Sequence, residues 1–152
     1  MSVTFKTGSI LSPLLAQAIV IPVNCMGVPG AGLAKQWATI APSAAQQYRE
    51  RSSNGLMKIG EPLLLGRSQS MDLRDWWVCF PTKNHWQDYS ELAEIQIGLS
   101  TLTKRLNFFK IKSVAFPLLG AGLGGLSPTV VKEALVNYCG TQIPDVEAYI
   151  YI

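Results

Sequence analysis

Twice in this chain, an apolar run that reads as a buried strand is followed at once by a glycine-rich loop and then by a helical pattern. The first loop is Gly27-Val28-Pro29-Gly30-Ala31-Gly32, entered from Ala18 to Val23. The second is Gly120-Ala121-Gly122-Leu123-Gly124-Gly125, entered from Ser113 to Leu119. Glycine permits the tight turn and leaves main-chain amides open to close approach. Amides at a helix N-terminus attract anions. A strand-loop-helix unit used twice points to an α/β fold with both loops at the carboxyl ends of strands, where ligands of open α/β sheets bind. One such loop alone is more often a tight turn; the pair implies a clamp on a diphosphate with a nucleotide-like body attached. Neither loop runs into Gly-Lys-Ser/Thr, and the first lacks the dinucleotide spacing, so the common phosphate-loop motifs are excluded.

The rest of the chain supplies the remaining layers. Val3 to Thr7 reads as a short strand. Leu33 to Ile40 and Pro42 to about Ser52 read as a helical region broken at the proline. Glu61 to Ser68 and Trp76 to Thr82 read as strands joined by a polar turn around Met71 to Asp75. Ser90 is expected to cap a long helix, with Glu91 and Glu94 as first-turn acids rather than an acid/base pair. Ile95, Leu99, Leu102 and Leu106 give that helix an apolar face at helical spacing. A strand over Lys112 to Leu118, a helix from Ser127-Pro128 to about Tyr138, and a strand over Val146 to Ile152 complete the series. Strands alternating with helices predict a three-layer α/β/α domain over residues 1–152, with a mixed, largely parallel central sheet.

Composition narrows the function classes. Hydrophobic residues are 48% and charged residues 15% of a 152-residue chain, enough for one substantial core. The net charge of +3 tolerates a polyanionic partner without requiring one. The basic clusters Lys104, Arg105, Lys110, Lys112 and Arg49, Arg51 read as solvated helix ends. Val114 to Leu126 is too short and too glycine-broken to span a membrane. Met1 to Lys6 lacks the apolar core of a secretion signal, so a cytoplasmic protein without membrane contact is expected; a monomer is expected as well. Cys25, Cys79 and Cys139 show no metal spacing and no disulfide framework. Cys79 and Cys139 read as core. Cys25, just before the first loop, reads as a packing residue, a reactive thiol being the alternative.

Two segments carry the candidate chemistry. Asn24 ends the first buried strand, where its amide can address ribose hydroxyls or merely shape the loop as an Asx-turn. On position alone the two readings stand level. Phe80-Pro81-Thr82-Lys83-Asn84-His85-Trp86 ends another strand and gathers a lysine, the single histidine and an aromatic. Such a lysine can attack an electrophilic carbon or, protonated, assist a leaving group. Taken alone, the segment favours an exposed loop lysine, with His85 and Trp86 packing over it. Trp86 could stack on a base, though a core tryptophan is commoner.

Together these segments resemble the macrodomain family, and most strongly its branch of DarG-type DNA ADP-ribosyl glycohydrolases. The resemblance rests on Val20-Ile21-Pro22-Val23-Asn24, on Gly27 to Ala34, on Phe80 to Trp86 and on Pro117 to Leu126, in matching order across nearly the whole chain. The glycine loops are common to many macrodomains; the Phe-Pro-Thr-Lys-x-His-Trp segment is far more selective. The resemblance implies that Asn24 contacts the distal ribose of ADP-ribose, and that Gly27, Val28, Gly30, Ala31, Gly32 and Leu33 wrap that ribose and the diphosphate. It implies that Leu119, Gly120, Ala121, Gly122, Leu123, Gly124 and Gly125 hold the diphosphate through backbone amides. Lys83 would be the principal catalytic residue, beside the anomeric carbon, with Asn24 as a second catalytic residue and Thr82 among the residues that bind ADP-ribose. The implied reaction releases ADP-ribose from thymidine in DNA, single-stranded DNA being the implied partner. No metal or other cofactor is implied, because amides offset the diphosphate charge.

Three departures from the family pattern stand out. Ser9, followed by Ile10, occupies the place where macrodomains often carry an acid for the adenine amino group, so that contact would be weaker or made by backbone. Ala31 replaces a lysine common in the branch. Gly124 stands where a related branch, acting on acidic side chains, has an aspartate partner for its lysine. The chain is expected to end with its last strand, without a partner-binding domain. A non-catalytic ADP-ribose reader, a hydrolase of protein-linked ADP-ribose, and a phosphatase acting on ADP-ribose phosphate through His85 are the alternatives.

Overall fold

The computed structural model describes residues 2–67 and 75–152. In chain order its elements are β1 (Ser2–Lys6), β2 (Ala18–Asn24), α1 (Gly32–Ile40), α2 (Pro42–Ser53), β3 (Leu63–Gly66), β4 (Trp76–Lys83), α3 (Leu92–Phe108), β5 (Ser113–Phe116), α4 (Pro128–Thr141) and β6 (Glu147–Tyr151). Among the described residues the strands form one six-stranded sheet in the order β1-β6-β5-β2-β4-β3. All neighbours run parallel except β3 against β4. The mixed, largely parallel sheet expected from the sequence is therefore present.

Alternation along the strands builds a core on each side of it. Ile19, Ile21 and Val23 of β2 share one core with Trp37 of α1 and with Ala44, Ala45 and Tyr48 of α2. Ala18 and Val20 share the other with the α3 stripe Ile95, Leu99, Leu102 and Leu106, and with Val131 and Leu135 of α4. Burial on both faces explains why β2 and β4 read as unbroken apolar runs rather than alternating ones. Cys79 and Cys139 lie in these cores, as expected.

Chain order makes a crevice. After β2 the chain enters α1 and α2 on one face, and after β5 it enters α4 on the other. Adjacent parallel strands whose connections leave to opposite faces define a topological switch point, where α/β sheets bind ligands. Here β2 and β5 pair only at Ala18↔Val114 and Ile19↔Ala115. Pro22 and Pro117 lie beyond that pairing and have no N–H to extend a ladder, so the two strand ends flank an opening.

Local differences from expectation have identifiable causes. Strand β5 stops at Phe116, directly before Pro117. Ser90 does not cap α3: Glu91 occupies that position without a side-chain cap bond, and only Glu94 is a first-turn acid. Ser90 is instead buried, its N–H donating to Gly124 O at 2.9 Å, which takes it out of reach of the helix end. Ser127 does cap α4, accepting from Val130 N at 3.5 Å. The turn expected from Met71 to Asp75 lies outside the described residues, save Asp75.

Candidate functional site

A cleft of about 930 Å³ opens at the carboxyl ends of the strands. That is within the size range of small-molecule sites. Four stretches line it: Pro22 to Asn24 with Val28, Gly30 to Ala34, Thr82 to Gln87 in part, and Pro117 to Gly124 in part.

Asn24 organises the first loop. Its Nδ2 donates to Val28 O at 2.9 Å, while its Oδ1 accepts from Met26 N at 3.0 Å and Val28 N at 3.3 Å. The Tyr48 hydroxyl approaches the same oxygen at 3.1 Å and donates to Asn24 O at 2.6 Å. Both ends of the amide thus shape the loop, as in the Asx-turn reading, and among the described residues the second Nδ2 hydrogen of this cleft-lining residue has no partner. Burial pushes the Tyr48 phenol well up, so it stays a donor.

The loop then runs into α1 with Ala31 at the N-cap position, no side-chain cap and no acid in the first turn. The first N–H groups of a helix have no intrahelical acceptor. Here they belong to a stretch that lines the cleft, Ala31 to Ala34. An uncapped helix start on a cleft wall is a ready anion site.

The second loop reaches the same cleft by tight packing. Gly120 has φ +77°, and a Cβ there would meet Ile95 Cδ1 at 2.8 Å and both Leu126 Cδ1 and Ser90 Cβ at 2.9 Å. A Cβ on Gly124 would run into Ser90 Oγ and Gly120 O. There is consequently no room at position 124 for the aspartate of the related branch. Turns from Ala121 N to Leu118 O, Gly125 N to Gly122 O and Leu126 N to Gly120 O hold the loop. Among the described residues, the N–H groups of Gly122, Leu123 and Gly124 donate to no main-chain acceptor, and all three residues line the cleft.

Between the loops stands Lys83. The register of β2 on β4 is regular up to Val23↔Pro81 and then shifts, so that Asn24 faces Lys83. Without the shift Asn24 would stand opposite Thr82. Such bulges re-aim side chains, and this one sets the lysine beside the first loop. Cys25 N donates to Lys83 O at 3.1 Å and Asn84 O at 3.0 Å, tying the loop to the lysine segment. Thr82 is buried, its hydroxyl 3.5 Å from Val23 O, and it also lines the cleft. Among the described residues, no carboxylate forms an ion pair with Lys83; the pair found there is Arg67–Asp75. Nor does any group of three or more His, Cys, Asp or Glu converge among them.

Of the sequence-predicted residues, the cleft brings together Asn24, Val28, Gly30, Ala31, Gly32, Leu33, Thr82, Lys83, Gly120, Gly122, Leu123 and Gly124. The others lie outside its wall. Ser9 accepts from Leu11 N at 3.1 Å, and Ile10 is in the core with α1 and α2. Gly27 packs against Ser52 of α2, Leu119 and Ala121 belong to the α3–α4 core, and Gly125 lies under the Tyr89 ring.

Sequence reasoning missed Pro22, Val23, Pro117 and Leu118 at and beyond the strand ends, Ala34 on α1 and Gln87 after β4, which line the cleft by their place in the fold rather than by residue type. Trp86 is not a core residue: it is 49% exposed and lines the cleft. His85 lies outside the wall, its ring centroid 5.1 Å from that of Trp86 and its Nδ1 accepting from Gln87 N at 3.1 Å. Cys25 is half-buried, and burial together with Glu94 pushes its thiol up to about 11, the opposite of activation.

A three-layer sheet with an amide-rich cleft at its switch point and one unpaired-by-carboxylate lysine on the wall defines an α/β protein built to hold an anionic ligand. The family model described as Macro domain matches residues 20–135, and the chain belongs to that family. It is 37% identical over 149 residues to the DNA ADP-ribosyl glycohydrolase of Mycobacterium tuberculosis, a match covering 98% of this chain and 42% of that protein. The solved macrodomain of Mycobacterium tuberculosis DarG superposes with a TM-score of 0.90 at 36% identity, covering 98% of this chain and 96% of that one. The structure of Thermosipho africanus DarTG in complex with ADP-ribose gives 0.85 at 29% identity, covering 97% and 41%. The chain thus spans about two fifths of the length of the curated relatives it matches. Among the described residues no helix is long and apolar enough to cross a membrane.

Proposed function

We propose that this chain is an ADP-ribosyl glycohydrolase that binds ADP-ribose in the cleft and removes it from thymidine in DNA. The observation that carries the reading is the placing of Lys83 by a register shift, opposite Asn24 and between two anion-ready loops. The α1 N-terminus and the Gly122 to Gly124 amides would hold the diphosphate. The free Nδ2 hydrogen of Asn24 would address the distal ribose, setting its anomeric carbon beside Lys83. The bond that breaks joins that carbon to the base, and water is the second reactant. Lys83 would act on the reacting carbon without a carboxylate partner at position 124, where a side chain has no space. Its contribution is nucleophilic attack or electrostatic assistance to the leaving base. The likeness to relatives named DNA ADP-ribosyl glycohydrolase supports DNA over protein as the substrate.

A phosphatase reading needs a general base, and His85 is held off the cleft wall against Trp86. The test is a thymidine-ADP-ribosylated oligonucleotide incubated with wild type and Lys83→Ala, following oligonucleotide mobility and free ADP-ribose together. Release by wild type alone is expected; equal release by both proteins, or by neither, overturns the reading.

A further inference from the structure

The glycine loops account for a phosphorylated ligand but not for Trp86. Among the described residues it is the only aromatic lining the cleft, and it is 49% exposed there. An exposed indole is a large apolar surface without a partner, and such surfaces at a cleft often mark contact with one. The ring has one aromatic neighbour among the described residues: His85 packs against it with centroids 5.1 Å apart and planes 31° from parallel. The turn beneath is closed by Asp88 N to His85 O at 3.0 Å, His85 N to Asp88 Oδ2 at 3.0 Å and Gln87 N to His85 Nδ1 at 3.1 Å. Gln87, next along the wall, offers both a donor and an acceptor.

We propose that Trp86 is the platform on which the leaving nucleobase of the substrate stacks, making it the residue that selects an unpaired base over other ADP-ribosylated groups. The proposal rests on the glycohydrolase reading for the identity of the leaving group. Trp86 follows Lys83 by three residues in the segment after β4, and both line the cleft, so the indole and the lysine come from the same stretch of the wall. The amides proposed for the diphosphate come from other stretches of the lining. Stacking on an aromatic ring suits every base and is a main source of single-strand binding. A base whose face rests on Trp86 while its ADP-ribose fills the cleft must be out of a duplex stack.

The test compares wild type with Trp86→Ala and Trp86→Phe, and uses Phe108→Ala, an exposed aromatic near the end of α3 away from the cleft, as a control. Three quantities are read: affinity for free ADP-ribose, KM for a thymidine-ADP-ribosylated single strand, and binding of labelled unmodified oligothymidine to protein saturated with ADP-ribose. Trp86→Ala should keep its affinity for free ADP-ribose within twofold, which also reports a folded cleft. It should raise the KM and weaken oligothymidine binding, each roughly tenfold. Trp86→Phe should recover most of both, and Phe108→Ala should change neither. An equal loss of free ADP-ribose affinity would place the adenine on Trp86 and overturn the proposal, as would unchanged KM and oligothymidine binding. If wild type releases no ADP-ribose but oligothymidine binding still depends on Trp86, the glycohydrolase reading fails and the leaving-base assignment with it, while base stacking on Trp86 stands.

Discussion

The two glycine loops serve one cleft but are held by opposite means. The first takes its shape from polar groups: Asn24 gathers Val28, Met26 and Tyr48 around one amide. Its residues Gly30, Ala31 and Gly32 are exposed, and α1 starts without a side-chain cap. The second takes its shape from the absence of side chains. Gly120 and Gly124 are buried, packed so closely on Ser90, Ile95 and each other that no Cβ fits. A hydrogen-bonded loop can lose one partner and loosen, whereas close-packed positions have no room to adjust. The first loop is therefore suited to adapt around a ligand, while the second is fixed at Gly120 and Gly124, with Gly122 and Leu123 exposed between them.

Lys83, at the seam, should show the largest effect. Lys83→Ala should lower turnover on the order of a hundred- to ten-thousand-fold with ADP-ribose affinity nearly unchanged, measured by single-turnover release. Gly120→Ala tests the fixed positions. A left-handed conformation and overpacking together should cost about 2–4 kcal/mol and lower Tm by roughly 5–15 °C in a thermal melt. Gly124→Asp, which would install the acid of the related branch, should destabilise at least as much and gain no activity on protein-linked ADP-ribose. Asn24→Ala tests the polar hub. It should cost about 1–3 kcal/mol and weaken ADP-ribose binding by more than its effect on Tm suggests, since the loop loosens before the core does. A larger Tm loss for Asn24→Ala than for Gly120→Ala would reverse the comparison. Ala31→Lys, on the open loop, should tighten ADP-ribose binding only roughly two- to fivefold, an effect that disappears at high salt. The smallest expected effect is none: with its thiol pushed up to about 11, Cys25 should resist alkylation at pH 8 in the native protein and react only on unfolding.

Much of this was legible in the chain. Apolar runs bounded by glycine loops located β2 and the βα junctions, because a strand buried on both faces needs an unbroken apolar run and a tight exit. The stripe Ile95, Leu99, Leu102, Leu106 located α3 because helical spacing leaves one face for the core. Ser90 shows the limit of local signals. It has the residue type and position of an N-cap, yet contact with the second loop claims it. Trp86 shows the same limit from the other side, since a tryptophan's environment is not written in its neighbours.

The sequence by itself determined the α/β class and the two glycine loops, which follow from residue type and short-range periodicity, while the candidacy of Lys83 rests on the resemblance of Phe80 to Trp86 to a family segment. Tertiary structure alone decided that β2 and β5 would be neighbours with connections to opposite faces, which opens the cleft. It also decided the register shift that sets Lys83 opposite Asn24, the crowding that keeps an acid from position 124, and the exposure of Trp86 on the wall. Each is a relation between segments far apart in the chain, fixed by strand pairing and packing that no local window contains.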